Sequence, residues 1–173
     1  LDGEIRANGG AGTHSSYYYS RGGGSGGSVV VTATDLAGAG VVRANGGAGG
    51  NTNYSHAGGG SGGRVAVTSQ STGSVTFEAQ GGSAVGQPGG AGTVALIDAL
   101  TGDVAVTVAN GGLSGARTPI DATNTAASFS DLRVADSASV VVNTAVDADV
   151  VTLADAASMW LNATLTSHHM NVL

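Results

Sequence analysis

A glycine-dense stretch written twice constrains this chain more than any other feature. Residues 40–67 read GVVRANGGAGGNTNYSHAGGGSGGRVAV, and residues 3–31 read GEIRANGGAGTHSSYYYSRGGGSGGSVVV. Gly3, Arg6 and Asn8 map onto Gly40, Arg43 and Asn45 at an offset of 37, and Gly22 and Ser25 map onto Gly58 and Ser61 at an offset of 36. Such a period marks a chain assembled from stacked supersecondary units, none of which can bury its apolar face alone.

Short runs rich in Val and Thr, bounded by Gly, Asn or Asp, recur along the first two thirds of the chain: residues 4–7, 28–33, 41–44, 64–69, 75–79, 93–98 and 103–109. They read as strands. No segment carries the i, i+3, i+4, i+7 apolar pattern of a helix, so the chain is expected to be all-β.

Long glycine-rich linkers alternate with tight turns (TDLAGAG, QSTGS, ALTG). Two strand columns follow, one stacking the runs around Ile5, Val42, Phe77 and Val106, the other those around Val30, Val65 and Ala95. The first column closes each time on one signature: Ala7-Asn8-Gly9-Gly10, Ala44-Asn45-Gly46-Gly47, Ala79-Gln80-Gly81-Gly82 and Ala109-Asn110-Gly111-Gly112. An amide at the same corner of successive layers can stack as a ladder, and the glycines after it are expected to turn through φ > 0. Both features favour parallel stacked layers. A β-sandwich stays open, although it has no need to write one corner four times.

The remainder keeps a tighter period. Residues 134–143 (VADSASVVVN) are matched by residues 153–162 (LADAASMWLN) at an offset of 19, and Asn124, Thr125 and Ala126 match Asn143, Thr144 and Ala145. Nineteen residues suit one turn of a β-solenoid. The sequence therefore divides into glycine-rich repeats of about 30–37 residues over 1–112 and acidic 19-residue repeats over 113–173, expected to form one continuous stack.

Composition removes several functions. All six basic residues are arginine, against twelve acids, for a net charge of −6. Eight aspartates follow residue 92, opposed only by Arg117 and Arg133. Nucleic acid is not expected as a partner, because its affinity rests on Lys and Arg neutralising phosphates. Cysteine is absent, which removes disulfides and thiolate metal sites. No apolar run approaches the length of a membrane span, and no leader is expected, because residues 1–3 already fall in the first repeat.

The motif G-x-[IV]-x-A-N-G-G-x-G followed by G-G-G-S-G-G-[RS]-[IV]-x-[IV] resembles that of large glycine-rich bacterial surface and secreted repeat proteins. The later [LV]-x-[VL]-A-D-x-A-S-[VM]-x-[LV]-N pattern is similar to autotransporter passenger regions and filamentous-haemagglutinin-type adhesins. The resemblance implies a right-handed parallel β-helix at the cell surface, and it brings no catalytic residues with it.

Gly22, Gly24 and Gly27, like Gly58, Gly60 and Gly63, fit G-x-G-x-x-G. A dinucleotide site needs that loop to follow a strand and open a helix; here it precedes a strand. The calcium nonapeptide of β-rolls fails for want of a carboxylate, since His14, Asn51 and Val94 stand where Asp is required. Asp136 and Asp155 share a repeat position, where a cation would relieve their repulsion, and the plainer reading is that they cap turns. No cofactor is implied.

All four tyrosines lie in the two longest excursions: Tyr17, Tyr18 and Tyr19 in the first, Tyr54 in the second. Clustered rings on adjacent layers would make a stacking surface for sugars or a protein partner; the alternative is a satellite core under their own loops. Trp160 replaces Val141 in the 19-residue register, on the face opposite Val140 and Val142, and so is a candidate interface residue. The adjacent pair His168 and His169 is read as a loop with no shared metal. A polysaccharide-degrading β-helix would need acids and a base converging, for which Asp98, Asp103 and Arg117 are the candidates. Asn53-Tyr54-Ser55 and Asn162-Ala163-Thr164 fit the glycosylation sequon. The expected function is an extracellular structural or adhesive subunit, without catalysis, that associates with copies of itself and contacts glycans or a neighbouring surface.

Overall fold

A computed structural model describes residues 1–16, 18–121 and 128–173, without the side chains of residues 15 and 16. The described residues form strands, turns and extended segments and no helix. In chain order the strands are β1 (Glu4–Arg6), β2 (His14–Ser16), β3 (Tyr19–Ser20), β4 (Ser28–Thr32), β5 (Val41–Arg43), β6 (Arg64–Ser69), β7 (Thr76–Glu78), β8 (Thr93–Asp98), β9 (Val104–Ala109), β10 (Thr118–Ile120), β11 (Ser128–Ala135), β12 (Ser139–Val142), β13 (Val146–Leu153), β14 (Ser158–Leu161) and β15 (Leu165–Val172). All seven runs expected from the sequence lie within a residue of observed strands.

A seven-stranded sheet, ordered β15-β13-β11-β9-β8-β6-β4, forms one wall. Two smaller parallel sheets, β1-β5-β7 and β10-β12-β14, face its two halves. Each repeat thus gives a strand to the large sheet and a strand to a small one. The sequence offsets reappear as strand register, with Ile5 beside Val42 and Val42 beside Phe77, Val29 beside Val65, and Phe129 beside Ala148. Inward residues alternate along the strands, as the pleat requires. Val42, Val65, Val67 and Val94 fill one core, and Val106, Val108, Ile120, Leu132, Val140, Val142 and Val151 fill the other.

One expected member of the first column stands elsewhere. Val106 belongs to the large sheet, antiparallel to β8 and opposite Ala95, and not to the column of Ile5, Val42 and Phe77. β8 and β9 are joined by only a short turn around residues 99–102, whereas a parallel neighbour needs a connection of a dozen or more. Asp98 builds that turn: its Oδ1 accepts from the amides of Leu100 (2.7 Å) and Thr101 (3.1 Å), and Gly102 takes φ +79°. β4, β6 and β8 therefore run one way, and β9, β11, β13 and β15 the other. Among the described residues no strand pairing joins β7 to the second small sheet. A cavity of about 230 Å³ lined by Phe77, Ala79, Val94, Thr107 and Asp136 lies at this seam.

In the 19-residue repeats the inward period slips. Phe129 and Leu132 are both buried with two residues between them, as are Ala148 and Val151. The strand partners skip the same place, running from Phe129–Ala148 to Asp131–Val150 and from Ala148–Ser167 to Val150–His169. His168 and His169 stand at the matching place within β15, not in a loop, and His168 Nδ1 lies 3.0 Å from Asp149 of the neighbouring strand β13.

Candidate functional site

The candidate site rests on the glycine-rich linkers, which are packed elements in their own right. Residues 7–13 run outward from the first small sheet and residues 21–27 run back. The Gly24 amide donates to the Gly10 carbonyl (2.8 Å) and Gly27 to Ala7 (2.7 Å), an antiparallel arrangement. The second repeat copies it, with Gly60 donating to Gly47 (2.9 Å) and Gly63 to Ala44 (2.7 Å). Between repeats the arms pair in both senses. Gly9 and Gly12 donate to Asn45 and Ala48, Gly23 and Gly26 to Gly58 and Ser61, and Gly47 and Gly50 to Gly24 and Arg21.

These partners recur every third residue. Three residues per turn is the period of the polyproline II conformation, which makes no internal hydrogen bonds and must find its partners outside the segment. Two of every three positions face another arm, and within residues 8–12, 22–27, 45–50 and 58–63 every one of those positions is glycine. A Cβ at Gly46, Gly47, Gly59, Gly60, Gly62 or Gly63 would fall within about 2 Å of a neighbouring carbonyl oxygen. The third position bears the side chains: Asn8 and Ala11, Asn45 and Ala48, Ser25, Ser61. The expectation of φ > 0 at the corner glycines is thereby corrected. Of the eight, only Gly111 (+58°) and Gly112 (+82°) lie in the left-handed region; most of the others are glycine for closeness of approach.

The corner amides do bind successive layers, through the backbone. Asn8 Oδ1 accepts from the Asn45 amide and Asn45 Oδ1 from the Gln80 amide, both at 2.8 Å. Asn110, buried and approaching from the reversed half, accepts from Gly81 (2.7 Å) and donates to the Gly89 and Leu113 carbonyls. A direct amide pair occurs lower down, where Asn162 Nδ2 donates to Asn143 Oδ1 at 3.0 Å. Beside the corner the outer face of β1-β5-β7 carries a charged row. Arg6 donates to Glu4, and Arg43 bridges Glu4 (3.1 Å) and Glu78 (2.9 Å). The hydrogen bond from Arg6 holds the Glu4 carboxyl below the ordinary glutamate range, aided by the charges of Arg6 and Arg43 and opposed by partial desolvation.

The arms end in tips that carry the tyrosines. In the first tip β2 and β3 form a short antiparallel pair, with His14 opposite Ser20. In the second, Asn51 bridges His56, whose Nδ1 lies 2.6 Å from Asn51 Oδ1. The Ser20 and Ser55 hydroxyls meet at 2.8 Å and tie the two tips together. Above them Tyr18 and Tyr54 stack, with ring centroids 5.1 Å apart and planes 21° from parallel. They are 66 % and 71 % exposed, and Tyr19 is 70 % exposed. These three rings are exposed and are not buried as a satellite core. Tyr17 lies outside the described residues, as do Asn124, Thr125 and Ala126. Residues 13–21 and 50–57 contain Arg21, His14 and His56 and no acid, in a chain of net charge −6.

The other sequence candidates stand apart from the tips. Trp160 pairs with Val141 as the register requires and is 40 % exposed, and the Arg117 guanidinium sits 3.9 Å above its ring. Asp98 and Asp103 line a shallow depression of about 310 Å³, without Arg117. Asp98 holds its own turn, and Asp103 accepts from the Thr101 hydroxyl. Asp136 and Asp155 occupy equivalent turns at φ 52° and 54°, each followed by a second left-handed residue, Ser137 or Ala156. The Asp155 carboxylate faces Arg133 at 3.6 Å. Among the described residues no three His, Cys, Asp or Glu gather as a metal site, and no helix is long and apolar enough to cross a membrane. No family model matches this chain, and neither a curated protein nor a solved structure matches it.

Proposed function

We propose that this chain is a structural and adhesive module displayed outside the cell, of the glycine-rich surface-repeat type, built as a right-handed parallel β-helix in two segments. The observation that carries this reading is the stacked, exposed Tyr18–Tyr54 pair. It sits at the far ends of arms whose glycines are spent on backbone packing. Aromatic faces presented on a rigid support suit the apolar faces of sugar rings and the cores of protein interfaces. The module acts by contact, with no cofactor and no catalysis.

Self-association belongs to the same reading. Leu161 and Met170 take the register positions of Val142 and Val151, which are fully buried, yet they are 55 % and 58 % exposed, and Val172 beside Leu153 is 75 % exposed. β15 borders the large sheet, and a free strand edge of this kind is a template for another strand. A second copy of the chain is the partner that offers a matching β-stack. Light scattering with electron microscopy tests this element: regular oligomers or filaments are expected, and a stable monomer at high concentration removes it. A glycan-array screen tests the adhesive element, with Tyr18→Ala and Tyr54→Ala as controls. Binding lost in both variants is expected. Binding indifferent to both removes the tips from the account.

A further inference from the structure

We propose that Tyr18 and Tyr54 form an oxidative cross-linking site, at which a dityrosine bond joins the first repeat to the second. Three observations place it there. The rings stack with centroids 5.1 Å apart, inside the contact range of aromatic pairs. Both are more than half exposed, so an oxidant reaches them without unfolding. The tips beneath are held in register by the Ser20–Ser55 hydroxyl contact and by the Gly50 amide donating to the Arg21 carbonyl. Tyr19 is equally exposed, yet it stacks on no other ring among the described residues. Exposure alone therefore does not single out the pair.

The chemistry balances with a peroxide as oxidant, acting through a haem peroxidase. Each phenol loses one electron and its hydroxyl proton and becomes a phenoxyl radical. The two radicals join through ring carbons ortho to oxygen, forming one carbon–carbon bond. Each coupled ring then moves its ortho hydrogen, as a proton, back to its oxygen and regains aromaticity. The two electrons and two protons removed at the start reduce hydrogen peroxide to two waters. The stacked rings must swing toward coplanarity before they couple. Exposed side chains change rotamer in picoseconds to nanoseconds, so the backbone does not have to move.

Tethering decides between coupling within a chain and coupling between chains. Two groups on one scaffold meet at an effective concentration in the millimolar range, so at micromolar protein the internal bond is favoured on the order of a thousandfold. The chain has no cysteine, so this bond is a covalent brace between repeats that a disulfide cannot supply.

The test treats dilute folded protein with a haem peroxidase and limiting hydrogen peroxide. It reads dityrosine fluorescence, intact mass and the position of the link by tandem mass spectrometry. The expected product is a monomer lighter by two hydrogens, with the link between Tyr18 and Tyr54 and slower proteolysis of the tips. Tyr54→Phe is expected to abolish the internal link and Tyr19→Phe to leave its yield unchanged. A link mapped to Tyr19, a yield unaffected by Tyr54→Phe, or a product consisting mainly of cross-linked dimers overturns the proposal. So does a monomer that stays unmodified while free tyrosine in the same tube is coupled.

Discussion

Gly60 stands where three arms meet, and its replacement by alanine measures how closely they pack. A Cβ at this position would lie 1.9 Å from the Gly24 carbonyl oxygen of the preceding repeat. Ordinary contact begins near 3.4 Å, so the arms must part by about 1.5 Å, and both sides of the clash are backbone. Parting them stretches the hydrogen bonds from Gly23 to Gly58 (3.0 Å) and from Gly26 to Ser61 (2.8 Å), which flank the contact. Two bonds at about 1 kcal/mol each, with overpacking strain at the low end of its range of about 1–3 kcal/mol, give a cost of about 3 kcal/mol. For a chain of this size each kcal/mol moves Tm by about 2–4 °C, so Gly60→Ala is expected to melt about 6–12 °C below the parent. Gly10 is the control, because a Cβ there would meet no atom within 4 Å and its φ is not left-handed. Gly10→Ala is expected to be neutral or to stabilise by up to about 1 kcal/mol, through lost freedom of the unfolded chain. Urea and thermal unfolding followed by circular dichroism read both variants. Gly60→Ala within about 0.5 kcal/mol of the parent, or equal costs at the two positions, would refute the packing argument.

Three further outcomes follow from single contacts. Asn110→Ala leaves the Gly81 amide and the Gly89 carbonyl without their partner in a buried setting and should cost about 3 kcal/mol in urea unfolding, whereas Asn8→Ala, at an exposed corner, should cost under about 1 kcal/mol. Ala156 holds φ 60° without a stabilising side chain, so Ala156→Gly should raise stability by about 1 kcal/mol; a loss would contradict the assigned turn. Because the Glu4 pKa is depressed in the folded state, its contribution is present above the ordinary glutamate range and is lost as pH falls through the lower folded value. Glu4→Gln should therefore flatten the acid limb of the stability curve, and an NMR titration placing Glu4 at or above an ordinary glutamate would contradict the Arg6–Glu4–Arg43 row.

Much of this was legible in the sequence, because side-chain alternation and repeat offset act directly on strand register. The offset of 19 between residues 134–143 and 153–162 is the offset at which Val140 meets Met159 and Leu132 meets Val151. Two features escaped for physical reasons. Ala109-Asn110-Gly111-Gly112 repeats the corner signature, and a signature carries no direction. The short connection between Asp98 and Asp103 did carry it, since it cannot cross over to a parallel neighbour. The glycine segments read as loops because glycine is the usual loop residue. Their signal was a period of three, in which Ser25, Ser61, Asn45 and Ala48 occupy only the outward phase. At the site, the clustering of tyrosines was visible, but the stacking of Tyr18 on Tyr54 depends on the pairing of the arms beneath, which no local pattern encodes.

Hydrogen exchange resolved to single amides of the arms tests most directly that the glycine segments are packed supports for the tyrosine tips. Slow exchange is expected at Gly23, Gly24, Gly26, Gly27, Gly46, Gly47, Gly49, Gly50, Gly59, Gly60, Gly62 and Gly63, each of which donates to a carbonyl on another arm or corner. Faster exchange is expected at Ser25, Ala48 and Ser61, the outward phase between them, giving two protected amides in every three. Uniformly fast exchange from residue 21 to 27 and from 58 to 63 would show that the arms are loops and would contradict the account.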